Sequence, residues 1–142
     1  MENLDGQIAS YLLERLKEAH PFRVSRLLLL LDLDYLKANG RRLTGFKYVF
    51  MPVGFYIDGF PPFLESLPSV EKVVLKDERG NPSGGFFRME REGEYTLPPE
   101  LRQPIASLVE ETANLDDQEL NRLIMEREEY QKLVDGSLLG WS

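Results

Sequence analysis

The sequence predicts an α+β fold: one mainly helical domain over residues 1–142, with about five helices and a small antiparallel β-sheet or hairpin. Three observations predict it. Apolar residues recur at helical spacing at both ends of the chain. The middle is rich in aromatic and β-branched residues between turn formers. And 142 residues suit a single compact core.

The first periodic segment is LDGQIASYLLERLKEAH, in which Leu4, Ile8, Tyr11, Leu12, Leu16 and Ala19 share a face. Asp5 reads as its N-cap, and His20-Pro21 as its end, because a residue before proline is pushed out of the helical region. A second helix is expected from Ser25 to Asn39, closed by Gly40 as a left-handed cap. YVFMP reads as a strand, a short helix is expected from Pro62, and VEKVVL and GFFRME form a hairpin around KDERGNPSG. GEYTL reads as a further short strand. From Pro98 a helix is expected with Leu101, Ile105, Leu108, Val109 and Thr112 on one stripe, kinked or delayed by Pro104. Asp116 opens a single last helix with Leu120, Leu123, Ile124 and Tyr130 inward, followed by an apolar tail with Leu138, Leu139 and Trp141 that is expected to dock on its own domain.

The charge is lopsided, with 24 acidic residues against 17 basic. Such a chain repels a phosphate backbone unless its cations cluster, so no nucleic-acid partner is expected. There is no cysteine, and the single histidine, His20, reads as a surface or capping residue. A thiolate site and an assisted nucleophile are therefore hard to build. No cofactor and no metal are expected. Oxygen-only cation sites at Asp77 and Glu78, or at Asp116, Asp117 and Glu119, compete with a simpler reading of the last three as helix-start acids. GNPSGG lacks the Lys-Ser/Thr of a phosphate loop and reads as a turn. The opening MENLDGQIAS lacks the basic-then-apolar order of a secretory signal, and the longest apolar run is Leu27 to Leu31. A cytoplasmic protein without a membrane partner is expected.

Two features single out residues. On a helical wheel Asp34 falls on the polar side near Arg26 and Lys37, whereas Asp32 falls inside the apolar arc between Leu28 and Leu36. A buried carboxylate needs donors, and Thr44 and Tyr48 are the nearest candidates, making Asp32, Thr44 and Tyr48 an expected structural polar hub. A partner anchor or a catalytic acid at Asp32 are the competing roles. The second feature is VFMPVGFYIDGFPPF, whose Phe55, Tyr56, Phe60 and Phe63 lie among Pro and Gly and are candidate partner contacts. The competing reading is a loop packed on the core.

The stretch LLLLLDLDYLKANGRRLTGFKYVFMPVGF resembles the N-terminal half of the Panacea, or SocA-like antitoxin, domain. That family joins a leucine-rich helix with an embedded aspartate to a GRxLTG-like turn and a Tyr-containing strand. The matching positions are Leu27 to Leu31, Asp32, Tyr35, Gly40, Arg41, Leu43, Thr44, Gly45, Tyr48, Pro52 and Gly54. The resemblance implies a phage-associated or cellular toxin–antitoxin protein that binds and neutralises a protein toxin encoded nearby. It implies no enzyme activity and brings no catalytic residues. The family's Gly-Pro is replaced here by Gly54-Phe55, which puts the specificity of that loop in question. Two alternatives remain: a winged-helix DNA regulator and an acidic-site, metal-dependent enzyme around Asp32. The wing would carry Lys72, Lys76, Arg79, Arg88 and Arg91 among Glu71, Asp77, Glu78, Glu90 and Glu92. Each is compatible with a homodimer.

Overall fold

The computed structural model describes residues 3–141 apart from Glu92 and Glu94. Its elements run α1 (Leu4–Leu16), β1 (Glu18–Ala19), α2 (Pro21–Asn39), β2 (Tyr48–Met51), β3 (Gly54–Ile57), α3 (Phe60–Ser66), β4 (Val70–Lys76), β5 (Pro82–Met89), α4 (Pro99–Thr112), α5 (Asp117–Met125) and α6 (Glu128–Asp135). The fold is α+β and mainly helical. One antiparallel sheet has the order β1-β5-β4, and β2 and β3 form a separate antiparallel pair.

The core is organised around α2. Every residue from Val24 to Leu33 is buried. A helix apolar nearly all round must be covered on all sides, and α1, α4 and α5 pack against it. Its N-terminus is earlier than predicted. His20 is the N-cap, its Nδ1 accepting from the Phe22 N–H at 3.0 Å, with Pro21 in the first turn. Gly40 closes the helix at φ 77°, as the sequence predicts.

Several expectations are corrected. Asn3, not Asp5, caps α1, accepting from the Gly6 N–H at 2.8 Å. α1 stops at Leu16 rather than His20, and Ala19 belongs to a two-residue strand paired with Phe87. α4 already begins at Pro99, so Pro104 lies inside the helix and does not delay it; Pro104 is exposed, where water can serve the carbonyl left without a donor. The last helix is two. From Ile124 to Tyr130 is six residues, about 240° on a straight helix, so one rod would turn Tyr130 away from the core. The break at Glu126–Arg127 restores both stripes: Leu120 and Ile124 are buried from α5, Tyr130 and Leu133 from α6. Leu123, expected inward, is 46% exposed. The strand predicted at GEYTL includes Glu94, outside the described residues; Tyr95 to Leu97 are irregular.

Among the described residues no helix is long and apolar enough to cross a membrane.

Candidate functional site

The turn after α2 is held by two carboxylates. Asp32 is fully buried. Its Oδ1 accepts from the backbone N–H groups of Leu43 at 3.0 Å and Thr44 at 2.7 Å. Its Oδ2 accepts from the Thr44 hydroxyl at 2.6 Å and the Tyr48 hydroxyl at 2.7 Å, with Arg42 Nη2 at 3.5 Å. The next N–H, that of Gly45, points at Asp5, at 3.0 and 3.1 Å from its two oxygens. Three successive backbone donors are thus aimed at carboxylates from α2 and α1. A Cβ on Gly45 would stand 3.1 Å from Asp5 Oδ2, so glycine permits the close approach.

Thr44 and Tyr48 are thus the side-chain partners of Asp32. The carboxylate sits beneath a satisfied shell of donors, which leaves no lone pair facing solvent for a substrate or a cation. Arg42 extends the cluster outward. It donates to the Phe46 carbonyl at 2.6 Å and lies over the ring of Trp141, 4.3 Å from its centroid. The tail therefore docks on its own domain through Trp141 and the half-buried Leu138, while Leu139 is exposed.

Burial pushes the Tyr48 phenol well above its usual 10, and the adjacent Asp32 carboxylate adds to the shift. An unfolded chain ionises this phenol near pH 10 while the folded one keeps it protonated. Above that pH the unfolded state holds fewer protons, so the Tyr48 contribution to stability is fully present below about pH 10 and is lost as pH rises further. Replacing Tyr48 by Phe is expected to flatten this alkaline limb by up to about 1.4 kcal/mol per pH unit. Urea midpoints at several alkaline pH values measure it, and an unchanged limb would count against the assignment.

The candidate partner aromatics separate. Phe55 and Phe60 are corrected to core residues, 4% and 3% exposed, and Phe63 is half-buried against Phe46. Only Tyr56, at 51%, faces solvent. The cause is the two-residue period of β3, which turns Phe55 and Ile57 inward and Tyr56 outward. The β2–β3 turn is fixed from below, where the Tyr130 hydroxyl lies 2.7 Å from the carbonyls of both Met51 and Gly54. Arg26, placed on the polar face by the wheel, is also corrected. It is 5% exposed, lies between the rings of Phe22 and Phe55, and donates to Asn121 at 3.1 Å. Burial lowers its pKa to about 10. Asp34 is exposed as expected and pairs with Arg127 at 3.4 Å.

The β4–β5 hairpin exists where a wing would be. Two of its cations are occupied: Lys72 by Glu65 at 3.4 Å and Arg88 by Glu71 at 2.9 Å. Glu92 of that segment lies outside the described residues. Asp116 and Glu119 form a reciprocal capping box at the start of α5, the helix-start role. No group of three or more potential metal ligands occurs among the described residues.

Sequence reasoning also missed a hollow on the surface of α2. Between α2 and the start of α4 lies an open hollow of about 480 Å³. Its walls are mainly Leu31, Tyr35, Ala38, Leu43 and Leu101, with the carboxylates of Asp34 and Glu100 beside them. It joins residues about sixty positions apart, a distance no local pattern spans.

Comparisons with family models, with curated proteins and with solved structures return no match to this chain.

Proposed function

We propose that this chain is a non-enzymatic, cytoplasmic protein-binding module of antitoxin type, neutralising a toxin encoded nearby by direct contact. The observation that carries it is the hollow between α2 and α4: apolar walls, acidic neighbours, and no nucleophile–base pair among its lining residues. Asp32 supports the same reading, because its oxygens serve the protein's own turn. The resemblance of residues 27–55 to the Panacea domain supplies the antitoxin role. A net charge of −7 would speed encounter with a basic toxin. The reading assigns no nucleic acid, cofactor or membrane partner.

The test is co-expression of the tagged chain with its immediate gene neighbours, followed by pull-down and mass spectrometry. One stoichiometric neighbour that is toxic alone and harmless in the complex is the expected result. A folded protein that captures no neighbour and rescues no toxicity would defeat the reading.

A further inference from the structure

The hollow between α2 and α4 has a neighbour. A second one, of about 430 Å³, lies on the α5 side of the same helix, and Asp34 lines both. Together they follow α2 from Leu30 to Asn39, about 13 Å of helix. Leu30 and Leu31 form the floor. At the far end stands Leu123, a leucine 46% exposed on a helix that buries its neighbours Leu120 and Ile124.

The charges around this trench are one-sided. Asp34, Glu100 and Glu111 line it, all three exposed. The one cation among the lining residues, Arg127, pairs with Asp34 at 3.4 Å and with Glu129 at 3.8 Å, so the acidic excess of the lining is carried by Glu100 and Glu111. A second copy of this chain would bring the same acids to the same place, so self-pairing through the trench is repulsive. A cationic partner is favoured instead. The walls are helices, which offer no strand edge to an extended peptide. A helical guest satisfies its own backbone and needs only side-chain contacts.

We propose that the trench along α2 receives an amphipathic, lysine- or arginine-rich α-helix of about two and a half turns from a protein partner, its apolar face on Leu31, Leu101 and Leu123. This rests on the protein-binding reading above and names the partner's chemistry.

The probe is a synthetic helix of about four turns, with leucines on one face and lysines on the other. Two controls accompany it: a leucine–glutamate helix with the same leucine spacing and a scrambled leucine–lysine sequence. Binding is read by calorimetry at physiological salt and mapped by amide NMR shifts. The leucine–lysine helix is expected to bind alone, with shifts concentrated at Leu31, Ala38, Leu101 and Leu123. Ala38→Trp, an exposed site where the indole fills the trench, is expected to weaken binding about tenfold or more. The double variant Glu100→Lys, Glu111→Lys, at two exposed positions, is expected to lose the lysine preference. Equal binding of the scrambled peptide, shifts spread over the acidic surface, or indifference to both variants would overturn the proposal. Cellular rescue separates the two ideas. Wild type and Ala38→Trp rescuing alike would discard the trench and keep the antitoxin reading. Peptide binding without any rescue would keep the trench and discard the antitoxin.

Discussion

Asp32→Ala is expected to destabilise the protein by about 3–5 kcal/mol, because two backbone N–H groups and the hydroxyls of Thr44 and Tyr48 lose their acceptor together. Each unsatisfied buried donor costs about 1–3 kcal/mol, and partial relaxation or entry of a water keeps the sum below the simple total. The melting temperature should fall by roughly 10 °C or more. Asp32→Asn keeps one oxygen for the two N–H groups and turns an amide toward hydroxyls that can reverse from donor to acceptor, so about half the loss is expected. Urea denaturation followed by far-UV circular dichroism measures both. An Asp32→Ala protein with an unchanged midpoint would refute the hub as a source of stability. The same variants separate structure from chemistry, since a folded Asp32→Asn protein with full partner binding leaves the carboxylate no role beyond the fold.

Phe55→Ala is expected to cost about 3–5 kcal/mol, whereas Tyr56→Ala should change stability by no more than about 0.5 kcal/mol. The two residues are adjacent but face opposite ways. Phe55 lies 5.8 Å from Phe50, 6.0 Å from Tyr48 and 6.2 Å from Tyr130, centroid to centroid, with the Arg26 guanidinium 4.1 Å over its ring. Its truncation opens a cavity beneath a buried cation. Tyr56 loses little more than solvent contact. Paired denaturation curves test the contrast, and a Phe55→Ala cost below about 1 kcal/mol would contradict its place in the core. Tyr56→Ala is then the clean probe of partner contact on this strand, because the fold survives it.

How far the sequence reveals this molecule depends on distance along the chain. The Asp32 hub is legible because its pieces are local. A wheel puts the carboxylate in an apolar arc, and its donors lie within sixteen residues. Gly40 and the β4–β5 hairpin are legible for the same reason. Two of the corrected features also have a local signal. GFYI alternates, which sets Phe55 inward despite the surrounding Gly and Pro, and the phase slip from Ile124 to Tyr130 forbids one straight helix. Other features carry no local signal. β1 is two residues long and exists because β5, about seventy residues later, pairs with it. Arg26 is covered by Phe55 and held by Asn121, which arrive from 29 and 95 positions away. The trench likewise needs α4 and α5 brought to α2.

Trp141 has a spectroscopic consequence. It is the only tryptophan in the chain, and its ring lies over Arg42 beside Tyr48 and Phe50. Tryptophan fluorescence, excited selectively above the tyrosine absorption band, therefore reports one place: the seat of the tail on the outer shell of the Asp32 cluster. Circular dichroism reports the helices as a whole. Coincident transitions mean that tail, hub and core melt as one unit. A fluorescence change that comes first marks the tail lifting from an intact fold.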